Sequence, residues 1–72
     1  MINSKKIAEL TNRENQVIKL IAKGYSNPQI AKEMDISKYT AKAHVCKMMD
    51  KLNAVNRIEL VVLAIKNGLL EI

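Results

Sequence analysis

Residues 26–52 read SNPQIAKEMDISKYTAKAHVCKMMDKL, and this stretch decides the fold. Ser26 can cap a helix whose first turn tolerates Pro28, because an amide there has no intrahelical acceptor to lose. Ile30, Ala31 and Met34 form its inner stripe. Asp35, Ile36 and Ser37 leave almost no connecting chain, so the next helix, capped by Ser37, must cross its predecessor steeply with Ile36 in the corner. From Lys38 the pattern runs helically to Leu52. At 100° per residue, Ala41, Val45, Met48, Met49 and Leu52 share about 100° of arc, a buried stripe. Tyr39, Thr40, Ala43, Cys46, Lys47, Asp50 and Lys51 lie on the opposite arc, with Lys42 on its flank. Two short helices joined by three residues, the second amphipathic with a basic outer face, are the physical content of a helix-turn-helix. In that unit the first helix braces and the second enters the major groove of DNA.

Outward from this unit the chain predicts one further helix on each side. Thr11 can cap the first, with Glu14 three residues on to complete a capping box and Leu10 placed to staple onto it. Val17, Ile18, Leu20 and Ile21 recur at helical spacing, and Gly24 supplies a left-handed stop. After a loop from Asn53 to Asn56, the fourth helix runs to Asn67 and ends at Gly68. No stretch alternates with period two, so an all-α, four-helix domain is expected. In the fourth helix Leu60, Leu63 and Ala64 share one face, Ile58, Val61, Val62 and Ile65 another, and only Glu59 and Lys66 give a polar strip. A helix apolar nearly all round must be buried on two sides. Ile58, Val61, Val62 and Ile65 are therefore the candidate interface with the same helix of a second protomer across a two-fold axis. The alternative is that Leu69, Leu70 and Ile72 fold back over them.

Composition sets limits on function. The 72 residues, 49% of them apolar and two of them aromatic, allow one domain, divided here into an arm at 1–9 and a globular part at 10–72. A chain this short buries only about 60% of the surface its unfolded form exposes, which argues against an enzyme with a deep, dry cleft. The single Cys46 cannot form an intrachain disulfide, which suits a reducing cytoplasm. The longest aliphatic run, Leu60 to Ile65, is too short for a membrane span, and Met1 to Leu10 lacks the apolar segment of a signal peptide. The net charge of +5 points to a polyanion or an acidic surface. Most of that charge is local: Lys38, Lys42, Lys47, Lys51 and Arg57 face Asp50 alone between residues 37 and 57. Lysines there can neutralise phosphates, and the small Ala43 lets the helix backbone approach base edges. The helix start at Ser37 offers free amides to a phosphate.

Other side chains invite chemical readings. His44 and Cys46 project about 200° apart on a helix and cannot form a nucleophilic dyad. No second His or Cys exists to build a zinc site, so neither metal nor cofactor is expected. His44 is a boundary histidine with a structural hydrogen bond or a phosphate contact. Cys46 is a small residue facing DNA or, if exposed, a redox-sensitive thiol. The Tyr39 hydroxyl either reaches a phosphate or is solvated, and Arg13 and Glu14 read as structural.

The pattern Leu10, Thr11, Arg13, Glu14, Val17, Leu20, Ala22, Gly24, Ser26, Asn27, Ile30 and Ala31, continued by Ile36, Ser37, Thr40, Lys42, His44, Val45, Lys51, Leu52 and Arg57, resembles the LuxR-type, or GerE-type, DNA-binding domain. The resemblance covers roughly residues 10–65 without gaps. It implies a bacterial transcription regulator whose domain binds promoter DNA as a dimer, with residues 38–52 as recognition helix. The candidate DNA contacts are Asn27, Ser37, Lys38, Tyr39, Thr40, Lys42, Ala43, Cys46 and Lys47. Gln16, Pro28, Ala41 and Cys46 depart from the family's usual residues, which puts the operator sequence outside what relatives can supply. The expected partners are double-stranded DNA with a two-fold related operator, a second copy of the chain and RNA polymerase. Two rivals stay open: a sigma-factor-type promoter-recognition domain working as a monomer on polymerase, and a protein interaction module using the basic face and the apolar fourth helix.

Overall fold

A computed structural model describes residues 10–70. The arm at 1–9 and Ile72 lie outside the described residues. Four helices follow one another: α1 (Asn12–Ala22), α2 (Asn27–Met34), α3 (Lys38–Leu52) and α4 (Arg57–Lys66), with no strand among the described residues. None of these helices is long and apolar enough to cross a membrane.

Each helix starts on a side-chain cap. Thr11 and Glu14 close a reciprocal capping box at α1, and Ser26 and Gln29 close another at α2. Ser37 accepts from the Thr40 amide at α3, and Asn56 accepts from the Glu59 amide at α4. Glu59 in turn accepts from the Val55 amide at 2.7 Å, fixing the approach to α4.

The four helices also end alike. Gly24, Asp35, Asn53 and Gly68 all have positive φ. Beyond each, an amide reaches back to a carbonyl of the last turn: Tyr25 to Leu20, Ile36 to Ala31, Ala54 to Met49, and Leu69 to Ala64, at 2.8–3.1 Å. This is the Schellman arrangement, whose apolar residue after the left-handed position packs back on the helix. Tyr25, Ile36, Ala54 and Leu69 do pack against the core. The three-residue turn between α2 and α3 is thus a helix stop and a helix start in direct succession, with Asp35 at φ 57° and Ser37 as the next cap.

The core lies where α3 meets the other helices. Val17, Ile18 and Ile21 of α1, Ile30 and Ala31 of α2, Ala41, Val45, Met48 and Leu52 of α3, and Leu60 and Ala64 of α4 are buried together. The buried positions of α3 are those that the 100° spacing selects, with Met49 half-buried at the edge. The segment after α4 buries Leu70 and half-buries Leu69 against the core. It leaves Ile58 and Val62 exposed, at 78% and 43%.

Two long-range polar clamps fix the recognition unit. Lys51, in the last turn of α3, donates to Glu14 Oε1 at 2.7 Å, and Glu14 is only 2% exposed. Arg57, at the start of α4, donates to the Tyr25 carbonyl at 2.8 Å and to Asn27 Oδ1 at 2.9 Å, holding the start of α2.

Candidate nucleic-acid interface

The outer face of α3 is open along its length. Lys38, Tyr39, Thr40, Lys42, Ala43, Cys46 and Lys47 are all exposed, while Ala41, Val45 and Met48 turn to the core. The alternation follows from the amphipathic spacing alone, since burying one stripe of a straight helix presents the other to solvent. Lys38, Lys42 and Lys47 enter no ion pair among the described residues. The Lys38 ammonium lies 5.6 Å from the centre of the Tyr39 ring, and that ring is 75% exposed. Between the lysines, Ala43 and Cys46 present no bulk, leaving a shallow cationic surface.

At the start of α3 the Ser37 hydroxyl is already engaged. It accepts from the Thr40 amide at 3.0 Å and donates to Thr40 Oγ1 at 3.0 Å. The exposed Thr40 hydroxyl keeps capacity for a further partner, and a phosphate oxygen is a suitable one. Ser37 therefore organises the helix start and Thr40 presents a donor.

Two of the five basic residues counted between 37 and 57 turn away from this face. Lys51, placed by the helical wheel on the outer arc, turns back to Glu14, and Arg57 is drawn into the clamp on α2. The cationic face of α3 is therefore carried by Lys38, Lys42 and Lys47. Asn27 is half-buried and its side-chain oxygen is held by Arg57, so it ties α2 to α4. His44 sits half-buried at the edge of the core stripe, and the structural hydrogen bond expected of it is not formed among the described residues.

The Glu14 carboxyl has a lowered pKa. Burial alone would raise it, but the hydrogen bond from Lys51, the Thr11 amide, the Lys51 charge and the Thr11 hydroxyl together hold it below the usual carboxylate range. The carboxylate is therefore charged at neutral pH and stays paired with α3. Sequence reasoning assigned Glu14 a structural role and missed its partner, which lies 37 positions away.

The family model described as "Bacterial regulatory proteins, luxR family" matches residues 8–64. The chain belongs to the LuxR family of bacterial regulatory proteins. Among relatives, the HTH-type transcriptional regulator MalT of Vibrio campbellii is 49% identical over 55 residues, 76% of this chain and 6% of that protein. The oxygen regulatory protein NreC of Staphylococcus carnosus is 44% identical over 62 residues, 86% of this chain and 29% of its own length. This LuxR-family chain therefore spans under a third of the relatives it matches. The solved structure of the transcription factor GerE superposes with a TM-score of 0.81 at 27% identity, covering 86% of this chain and 92% of that one. The four-helix arrangement is thus that of a DNA-binding helix-turn-helix domain in a family of transcription regulators.

Proposed function

We propose that this LuxR-family domain is a sequence-specific regulator of transcription that binds a two-fold related operator as a homodimer and sets the outer face of α3 into the major groove. The observation that carries the reading is the open, cationic and small-residue face formed by Lys42, Ala43, Cys46 and Lys47 on the second helix of the unit. Lys38, Lys42 and Lys47 neutralise phosphates or reach guanine acceptors, Thr40 and Tyr39 offer hydroxyls to the backbone, and Ala43 and Cys46 make close apolar contacts such as with a thymine methyl. Ser37 and Asn27 act by positioning. The absence of a long side chain at position 46 gives this domain its own operator preference.

The dimer is formed through α4. Ile58 and Val62 are exposed apolar residues one turn apart, and Val61 and Ile65 are half-buried beside them, so a second α4 laid across this face removes all four from water. The domain then acts in the cytoplasm at promoters, within reach of RNA polymerase.

The test is salt-dependent binding to an operator duplex. Lys42→Ala and Lys47→Ala should each weaken binding and each reduce the slope of log affinity against log salt by about 1. Unchanged affinity and slope for both variants would refute the docking.

A further inference from the structure

A second surface of the domain is also cationic, and it belongs to α1. Val17, Ile18 and Ile21 face the core, so Lys19 and Lys23 fall on the far side of this helix with Arg13 at their edge. All three are exposed, and Glu14, the only carboxylate of α1, is buried against Lys51. Beside them lies an open cleft of about 630 Å³ between α1 and α2, whose lining includes these three cations, half-buried Leu20 and Met34, and Glu33 on the opposite rim. Since α1 and α3 pack on each other through their apolar stripes, the cations of α1 and those of α3 stand on the outer faces of different helices.

We propose that the α1–α2 cleft docks an acidic, amphipathic segment of a partner protein while α3 is occupied by DNA. Charge complementarity selects the partner. Lys19, Lys23 and Arg13 line one side and call for carboxylates, while Leu20 and Met34 offer an apolar floor that takes an aliphatic or methionine side chain. A nucleic acid backbone has no group for that floor. The cleft belongs to α1 and α2 alone, and only the simultaneous occupation of α3 by DNA rests on the function proposed above.

The test uses the whole chain and two probes: a short fluorescein-labelled peptide in which Leu and Met are interspersed among Asp and Glu, and a non-specific DNA duplex. Binding is followed by fluorescence anisotropy at low ionic strength, and fold by circular dichroism. The double variant Lys19→Gln with Lys23→Gln, both exposed positions, should weaken the peptide by about tenfold or more and the duplex by far less. Lys42→Glu with Lys47→Glu should do the reverse. In amide spectra the peptide should move Leu20 and Met34. No binding of the peptide, loss of peptide binding only in the α3 variant, or loss of duplex binding in the α1 variant would each overturn the proposal. The last outcome would make α1 a nucleic-acid surface.

Discussion

One oxygen atom of Glu14 joins two helices. Oε1 accepts from the Thr11 amide at 2.9 Å and from Lys51 Nζ at 2.7 Å, so the cap of α1 and the last turn of α3 share an anchor. Glu14→Gln keeps an oxygen for the cap but removes the charge, and should destabilise the domain by about 1–2 kcal/mol at neutral pH, measured by urea unfolding. The pH dependence has a definite sign. Because the folded carboxyl titrates below the range of an unfolded Glu, its contribution is complete above that range and is lost as pH falls through the folded value. The difference between Glu14→Gln and the parent should therefore shrink toward zero in acid, and a constant difference from neutral to acid pH would remove the ion pair from the account. This partnership was not legible in the sequence. Glu14 announces itself as a cap because its partner Thr11 is three residues away, whereas Lys51 is indistinguishable from Lys42 or Lys47 until α1 and α3 are packed. A separation of 30 positions likewise hides the Arg57–Asn27 clamp, which gives Asn27 a bracing partner in α4.

At the scale of elements, the chain is legible because each helix carries local signals at both ends. Thr11, Ser26, Ser37 and Asn56 cap the starts, and Ile36 packs into the corner that its apolar character between Asp35 and Ser37 predicts. Less visible in the sequence are the left-handed Asp35 and Asn53, which do at α2 and α3 what Gly24 and Gly68 do elsewhere. Asn and Asp tolerate this conformation, but a β-branched residue does not. Asn53→Val should lower stability by about 1–2 kcal/mol in thermal unfolding, and Asn53→Gly should be close to neutral. Equal stability of the two variants would mean that the end of α3 rearranges without cost. The apolar excess of α4 was legible as a need for two-sided burial, with a fold-back of Leu69 and Leu70 as the alternative to a second protomer; the turn at Gly68 brings these two to the core and leaves Ile58 and Val62 exposed.

For the whole molecule, the account places one surface on DNA, one on a second protomer and one on an acidic partner, each on a different helix. Ile58→Glu changes a side chain that is 78% exposed, so the fold should survive. Sedimentation should then show a monomer, and affinity for a two-fold operator should fall while binding to non-specific duplex persists. A dimer that persists would move the interface off this face of α4. The central claim rests on α3, and Ala43 lies within its exposed face. Ala43→Glu sets a carboxylate where the backbone of the duplex or a base edge must approach, at an exposed position where the exchange costs the helix well under about 1 kcal/mol. The decisive measurement is titration of this variant with operator DNA at low salt beside its circular dichroism. The account predicts lost binding with full helical content, and undiminished binding by the folded variant would contradict it.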